Sequence, residues 1–398
     1  MPLCFLRPIP LKRPLKIPLI LLVLGLLLSF SRPFCCASPL PVGLLIDLSG
    51  PGSERGRAAL RAARQAVSLI NQQGGIKGRR LEILVGDTQG QKQRLLLTAQ
   101  ELSKKHHVIA LIGPVAPGLS QTLHAYAETY QVPTILTEGM SPLFPIRGHR
   151  SINWTFASNP RLDSWLKALL SGLKQAGITS IGPLFQEGKG GETVALWLRA
   201  YSIEMGMRVL APQTFSIQEA DCKAQLEWFE SQGAEASLVW GPSNWAQVIL
   251  RSAMGKEISL VLCPYLITPL TTSTLAEKAR IILVVPPVFM GEELPPSHPC
   301  IRPVIRFTTL METNASNLSP QCLLTAGAYW DGLFMVSMAL KKAEFITRKS
   351  LRDSLEALKE PFYGVMGVFQ PDKRNHSGLR PNSLLVIRKS HGIWGPIH

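Results

Sequence analysis

The sequence predicts an α/β fold with parallel sheets, arranged as two lobes around a cleft. The first observation is the stretch 42–87, where an apolar run, a polar loop, an amphipathic helix, a glycine-rich break and a second apolar run follow one another. Such a strand–helix–strand unit places its first loop at the carboxyl end of a strand, where open α/β sheets bind ligands. The second observation is length, because 398 residues exceed one ordinary core and suit two.

Each element of this first strand–helix–strand unit can be assigned from its residues. Residues 42–47 form a continuous apolar run, typical of a strand buried on both faces, and the polar loop 49–52 ends it. From Arg57 onward, apolar residues recur at helical spacing while arginines occupy the opposite face. Residues 71–78 end the helix, and a second strand begins at Leu81.

The same alternation of strands and helices continues along the chain. In the first lobe we predict helices 95–105 and 119–130 and strands 108–112 and 133–136, followed by a crossing segment at 153–160. In the second lobe we predict helices 162–176, 192–205, 222–232 and 245–253, and strands 178–185, 207–210, 236–240, 258–262 and 281–285. A proline-rich stretch from Pro286 to Pro303 returns the chain to the first lobe, where helices 323–342 and 351–358 follow.

The N-terminal residues 1–37 have the pattern of a secretory signal peptide. Four cations precede the leucine-rich run 19–30, and small residues stand near position 37. The apolar run is short for a membrane span of about 20 residues, so a retained anchor is the second alternative. We therefore expect a periplasmic or extracellular protein.

The charge balance excludes some partners and favours others. Without residues 1–37 the chain keeps 37 Lys and Arg against 27 Asp and Glu, a net charge of about +10. The cations are scattered along helix faces without interleaved aromatic residues, which argues against nucleic acid. An acidic ligand or an anionic membrane surface fits better.

Four cysteines remain after residue 37, and an exported chain meets oxidising conditions. Cys300 and Cys322 flank one connecting segment, so theirs is the favoured disulfide. The other two cysteines are Cys222 and Cys263. Sequence alone leaves all three full pairings open, and buried free thiols are the alternative.

Several segments together resemble the Leu/Ile/Val-type extracellular ligand-binding receptors, the substrate-binding proteins of branched-chain amino-acid ABC transporters. The segments are LLIDLSGP at 44–51, LINQQGGIKGRRLEILVGDTQ at 69–89, ALIGPVAPG at 110–118, VPTILTEGMSP at 132–142, AGAYWDGLFMVSMALKKA at 326–343 and FYGVMGVFQPDKRN at 362–375. The resemblance implies a type I periplasmic-binding-protein fold, with two Rossmann-like lobes joined by three hinge crossings. We expect 38–157 plus 287–362 in lobe 1, and 158–286 plus 363–398 in lobe 2.

The ligand site implied by the resemblance departs from the family pattern in this chain. Hydroxyls that hold a ligand carboxylate in the family correspond here to Pro117, beside Gly118, and to Met140, beside Ser141. Neither Pro117 nor Met140 has a side-chain hydrogen-bond donor. The family's acidic residue for the ligand ammonium corresponds to Tyr265, which lacks the full negative charge that a desolvated ammonium requires.

Two cations accompany this loss. Arg55 stands where the family usually has an aromatic residue, and Lys189 stands where it usually has a tyrosine. The hypothesis is therefore an anionic ligand without an α-ammonium group, held by Arg55 and Lys189, with Trp240 or Tyr265 as a stacking surface. In the first alternative both cations point to solvent at the cleft rim. In the second, the cleft binds no small molecule.

The function expected from these observations is capture rather than catalysis. The chain has no Gly-x-Ser-x-Gly elbow, and the glycine-rich segment 188–193 lacks phosphate-loop spacing. We expect a monomeric solute-binding protein, without metal or cofactor, that delivers a small molecule to an inner-membrane ABC permease. The alternative is a sensory or regulatory module that uses the same clamp to act on a protein partner.

Overall fold

The computed structural model describes residues 38–139, 153–216, 218–267, 274–312, 318–390 and 393–397. The predicted signal peptide, Met140 and Ser141 lie outside these ranges. Residues Pro39–His398 form one compact unit.

The first lobe contains a parallel five-stranded sheet. Its strands are β1 (Leu40–Ile46), β2 (Leu81–Asp87), β3 (Leu111–Gly113), β4 (Thr134–Leu136) and β5 (Thr155–Ala157), in the order β2-β1-β3-β4-β5. Helices α1 (Ser53–Gln72), α2 (Lys92–Gln100) and α3 (Ser120–Tyr130) connect the first four strands. The predicted crossing segment 153–160 is thus partly wrong, because it begins with β5, which pairs with β4.

The second lobe is built on a larger, mixed sheet. Its strands are β6 (Ser180–Gln186), β7 (Arg208–Val209), β8 (Gln213–Phe215), β9 (Ala236–Trp240), β10 (Ser259–Leu262), β11 (Ile281–Val285), β14 (Leu385–Ser390) and β15 (Ile393–Pro396). The order is β15-β14-β11-β10-β9-β6-β7, with β8 also on β6, and β14 and β15 are antiparallel. Its helices are α4 (Leu162–Gln175), α5 (Lys189–Met205), α6 (Lys223–Ser231) and α7 (Ala246–Ser252).

The return segment adds α8 (Ile301–Glu312), α9 (Pro320–Lys342), α10 (Arg348–Glu356) and a hairpin of β12 (Phe362–Tyr363) and β13 (Val368–Phe369). Helix α8 was not predicted, because Pro303 made its start look like a loop. Proline is tolerated there, since the first turn of a helix has no intrahelical acceptor for its backbone N–H groups.

The chain passes between the two lobes three times, after β5, after β11 and between β13 and β14. Three connections limit the lobes to hinge-like movement about a shared axis. The lobe bounds 38–157 plus 287–362 and 158–286 plus 363–398 stay predictions.

Helix α9 is the central helix of the first lobe. It is the one described helix long and apolar enough to cross a membrane, but 72% of its apolar window is buried in the protein. Tyr329 of α9 donates a hydrogen bond to the carbonyl oxygen of Leu45 in β1 at 2.6 Å. Ser158 in the first crossing donates to the carbonyl oxygen of Ala328 at 2.8 Å. Its burial and these bonds identify α9 as a core helix of the fold.

Asp331 of α9 fixes the turn of the β12–β13 hairpin. Its carboxylate is fully buried and accepts hydrogen bonds from the backbone N–H groups of Val365 at 2.9 Å and Met366 at 2.8 Å. Burial raises the pKa of this carboxyl to about 8, and the two hydrogen bonds oppose that rise only in part.

Asp331 therefore makes stability depend on pH. In the unfolded chain this carboxyl ionises near pH 4, so between about pH 4 and pH 8 the folded chain binds the extra proton. Its contribution to the free energy of unfolding falls as pH rises through that range. In Asp331→Asn an amide NH2 faces one backbone N–H, at a cost of about 1–3 kcal/mol. Urea unfolding should show Asp331→Asn less stable than wild type at about pH 5, with the gap narrowing toward pH 8; a widening gap would contradict this assignment.

All four described cysteines are buried free thiols, so the predicted Cys300–Cys322 disulfide is wrong. Cys300 precedes α8, and the nearby Asp331 carboxylate adds to the burial that raises its pKa to about 12. Cys322 lies in the first turn of α9, nine residues before Asp331, which is about 14 Å along a helix. A disulfide needs Cα atoms about 4.4–6.8 Å apart. Cys300 and Cys322 flank the same connecting segment in the sequence, but the fold does not place them within disulfide distance.

Candidate functional site

A cleft of about 470 Å³ opens at the carboxyl ends of strands from both sheets. The first lobe contributes the loops after β1, β3 and β4, and the second contributes the loops after β9, β10 and β11. The first crossing and the start of α9 complete the wall. Open α/β sheets bind ligands in this position, so the cleft is the candidate site.

The loop after β1 is held in place by buried and half-buried carboxylates. Asp47 accepts hydrogen bonds from the hydroxyl of Thr88 and from the backbone N–H of Gly90. Asp87 accepts from the backbone N–H of Leu48 at 2.9 Å and from the hydroxyl of Ser49 at 2.7 Å. Burial acts to raise the pKa of Asp87, but these hydrogen bonds outweigh it and the pKa is lowered. The charged carboxylate therefore fixes the start of the loop that leads to α1.

Arg55, in the first turn of α1, brings a positive charge into the cleft. Its side chain is half-buried and lines the cavity. Within the described part of the chain, no carboxylate forms an ion pair with Arg55. A half-buried guanidinium without a counter-ion favours an anion in the cleft, and its planar fork matches a carboxylate.

Gly56 allows α1 to lie close enough to β1 for this placement. A Cβ at residue 56 would overlap the carbonyl oxygen of Asp47. The buried face of α1 beyond it is lined by small residues, including Ala59, Ala62, Ala63 and Ala66. Small side chains let the helix axis approach the sheet, and this approach sets the position of Arg55.

The rest of the cleft offers few unused donors. Seven prolines are among its described lining residues, and proline has no backbone N–H. The hydroxyl of Thr137 donates to the carbonyl oxygen of Pro114 at 2.7 Å, and that of Thr325 donates to Gln321 at 2.7 Å. The amide of Asn159 donates to the carbonyl oxygen of Thr137 at 2.8 Å. Arg55 is thus the strongest donor that the described lining presents to a ligand.

The second lobe contributes an apolar wall around Trp165. This residue is 1% exposed, and its indole N–H donates to the carbonyl oxygen of Val284 at 3.2 Å. Trp240 packs edge-to-face against it, with ring centroids 5.9 Å apart and planes at 81°. Pro264 and Ile267 border the same wall. This wall suits an aliphatic or aromatic body rather than a polar one.

Some predicted site residues line the cavity and others do not. Arg55 and Pro117 do. Gly118, with φ +79°, does not line the cavity. Trp240 does not line it either, but packs against Trp165, which does. Lys189 begins α5, and Tyr265 lies in the short helical turn Pro264–Leu266, but the structure does not describe their side chains. Met140 and Ser141 lie outside the described residues.

Sequence reasoning missed several lining residues. Trp165 was not among the predicted site residues, and it is both buried and part of the cleft wall. Glu138 and Ser243 lie two and three residues after the ends of β4 and β9, so their position at the carboxyl end of a predicted strand was an available signal. Asn159 and Gln321 come from the first crossing and from α9, and sequence gave no signal for them.

The described residues contain no group of three or more His, Cys, Asp or Glu side chains that could hold a metal ion. The described lining offers one cation, one carboxylate, amides, hydroxyls and a large apolar area. This composition suits binding of a small organic molecule.

The fold and the interlobe cleft define a ligand-binding clamp, and a family comparison identifies its class. Residues 39–391 match a family model described as "Periplasmic binding protein". The chain therefore belongs to this family, the ligand-binding proteins of the Leu/Ile/Val type, as the sequence resemblance predicted. It is a family of periplasmic and extracellular binding receptors rather than of enzymes.

Solved structures confirm the predicted type I fold. An extracellular ligand-binding receptor from Rhodopseudomonas palustris is 19% identical with a TM-score of 0.69, covering 91% of this chain and 100% of that one. The transporter substrate-binding protein LivJ from Streptococcus pneumoniae, solved with isoleucine, is 19% identical with a TM-score of 0.64, covering 89% and 97%. The leucine-binding protein LivK from Thermotoga maritima is 17% identical with a TM-score of 0.66, covering 90% and 97%. At these identities the similarity establishes the fold alone.

Proposed function

We propose that this protein is a solute-binding protein that captures a small carboxylic acid lacking an α-amino group and delivers it to an ABC permease in the inner membrane. The observation that carries the proposal is Arg55, a half-buried cation without a described counter-ion in a cleft otherwise poor in donors. A carboxylate that meets a fixed guanidinium away from bulk water forms a short, charge-assisted pair of hydrogen bonds.

Capture uses both lobes. Arg55 and Pro117 belong to the first lobe, whereas Trp165, Pro264 and Ile267 belong to the second. When the lobes close, the acid's carboxylate stays on Arg55 while its apolar body is removed from water against Trp165. Closure contributes about 25 cal/mol for each Å² of apolar surface buried, and it presents a closed clamp to the permease.

An amino-acid ligand is the second candidate, and Glu138 favours it. This residue also lines the cleft, and its carboxylate could accept hydrogen bonds from a ligand ammonium. The two candidates differ in one group of the ligand, so they can be separated directly.

The test is a thermal-shift screen of residues 38–398 with ligands matched for shape. Isocaproate and hydrocinnamate are leucine and phenylalanine without the α-amino group. At 100 times its dissociation constant a ligand adds about 2.7 kcal/mol of stability. We expect the acids to raise the melting temperature and the amino acids to leave it unchanged.

Each other outcome of the screen contradicts the proposal. Stabilisation by leucine or phenylalanine alone identifies an amino-acid carrier, and Glu138→Gln should then remove the effect. In an acid-binding protein the same variant keeps the acid response. No response to any ligand in the panel would instead favour the sensory module.

A further inference from the structure

The second and third crossings meet at His298 and Ser383. His298 lies in the second crossing, three residues before α8, and α8 contacts the first lobe through a hydrogen bond from Arg61 to the carbonyl oxygen of Met311 at 3.3 Å. Ser383 lies in the third crossing, two residues before β14 of the second lobe's sheet. The ring of His298 lies against the backbone of Ser383. This contact therefore joins a segment attached to one lobe with a segment attached to the other.

Ser383 is itself firmly placed in the third crossing. It is 3% exposed. Its hydroxyl accepts a hydrogen bond from the backbone N–H of Val368 in β13 at 2.9 Å and donates one to the carbonyl oxygen of Arg380 at 2.7 Å. These two bonds fix the backbone that His298 contacts.

The hydrogen bonding of His298 requires an uncharged ring. Its Nδ1 accepts a hydrogen bond from the backbone N–H of Cys300 at 3.1 Å. An imidazole nitrogen accepts only when it carries no proton, so the single ring proton is on Nε2, which is buried. Protonation would place an N–H on Nδ1, directed at the N–H of Cys300. The ring must then turn, and because it is rigid, the turn also moves it away from Ser383.

A protonated His298 would also lack a counter-ion in this position. Burial lowers its pKa, the contact with Ser383 opposes that change only in part, and no charged side chain contributes. The thiol of Cys300 stays uncharged because its pKa is about 12, and the Asp331 carboxyl near that thiol has a pKa of about 8 and is uncharged in acid. Arg380 of the third crossing donates to the side-chain oxygen of Gln370 at 2.7 Å. A charged ring is therefore favoured only where it reaches water.

We infer that His298 is a proton-sensitive link in the hinge, whose uncharged ring holds the second crossing against the third and whose protonation in acid releases them. The orientation that places both lobes around the cleft contains this contact, so its loss disfavours that orientation. We therefore expect the clamp to capture its ligand more weakly in acid than near neutral pH. This last expectation rests on the proposed function, whereas the movement of the lobes does not.

The experiment measures the distance between the lobes as pH falls, without any ligand. Spin labels are attached to residues 38–398 through Arg94→Cys in α2 and Arg199→Cys in α5, which are exposed positions, whereas the four native cysteines of this part of the chain are buried. Double electron–electron resonance then gives the distribution of interlobe distances. From about pH 7.5 to about pH 4.5 we expect a second distance to appear, with the midpoint at which NMR shows the His298 ring to titrate. An unchanged distribution, or a midpoint that differs from that of the ring, would overturn the inference.

Two variants of His298 have opposite expected results. His298→Gln keeps an acceptor for the Cys300 N–H and does not ionise, so it should keep the neutral-pH distribution throughout. His298→Arg has only donors and a fixed charge, so it should show the acid distribution at every pH. As a control, His106→Gln, at an exposed position beyond α2 and outside the crossings, should respond as wild type does. If His298→Gln changes with pH as wild type does, the inference is wrong. Circular dichroism verifies that each variant is folded, and the wild-type titration decides the matter without any variant.

Titration with isocaproate at both ends of the pH range measures the effect on capture. The affinity of wild type should fall about tenfold more than that of His298→Gln. Protonation of the acid itself is common to both proteins, so the difference reports His298. Equal falls would contradict the link between the hinge and capture. If no acid binds at any pH while the interlobe distance still follows the His298 titration, the proposed function is wrong and the hinge inference is supported.

Discussion

Replacing Arg55 by alanine is expected to abolish the rise in melting temperature that an acid ligand produces. Truncating one partner of a desolvated charge pair costs about 2–5 kcal/mol, which lowers affinity by at least about thirtyfold. Arg55→Lys should retain part of the binding, because it keeps the charge and loses the planar fork. Isothermal titration with isocaproate measures both effects.

The control for this prediction is two residues away. Arg57 is exposed on the opposite side of α1, so Arg57→Ala should bind the acid as wild type does. If Arg55→Ala and Arg57→Ala keep the same affinity, Arg55 is a rim residue and the ligand carboxylate has another partner.

Replacing Gly56 by alanine is expected to weaken both stability and ligand binding. The added Cβ would overlap the backbone oxygen of Asp47, so α1 must move away from β1. Overpacking of this kind costs about 1–3 kcal/mol, and more where backbone must shift. Because Arg55 precedes Gly56, the shift also displaces the guanidinium in the cleft. Urea unfolding and titration with the acid measure the two losses.

A second glycine in a helix supplies the comparison. Nothing lies within 4 Å of a Cβ built on Gly190 in α5. Gly190→Ala should therefore be neutral or stabilising by up to about 1 kcal/mol, through helix propensity alone. If Gly56→Ala were as stable as Gly190→Ala, the contact between α1 and β1 would accommodate a Cβ at residue 56, and the prediction would be wrong.

Elements with strong local patterns were predictable from sequence. The β1–α1–β2 unit and strands β9 and β11 lie where apolar runs and helical periodicity put them. Helix α8 was missed because proline usually indicates the end of a helix, and the sequence does not show that Pro303 lies in the first turn, where proline is tolerated. Strands β14 and β15 were missed because antiparallel edge pairing depends on a partner, β11, about 100 residues earlier in the chain.

The candidate site was predictable only where it follows strands. Pro117 comes from the loop after β3, and Arg55 comes from the first turn of α1, just after the loop that follows β1. The rule that ligands bind at the carboxyl ends of strands locates both residues. Trp165 lies within α4, and its part in the cleft wall depends on how that helix packs beside β11. The predicted Cys300–Cys322 disulfide also depended on packing that sequence does not reveal. Cys300 lies near Asp331 of α9, and Cys322 lies nine residues before Asp331 along that helix.

A crystal structure of the protein with the acid that stabilises it most tests the central claim directly. The account predicts a ligand enclosed between the two lobes, with its carboxylate oxygens about 2.7–2.9 Å from the guanidinium of Arg55 and its apolar body against Trp165. A ligand whose carboxylate contacts only second-lobe residues such as Ser243, with Arg55 turned to solvent, would contradict it.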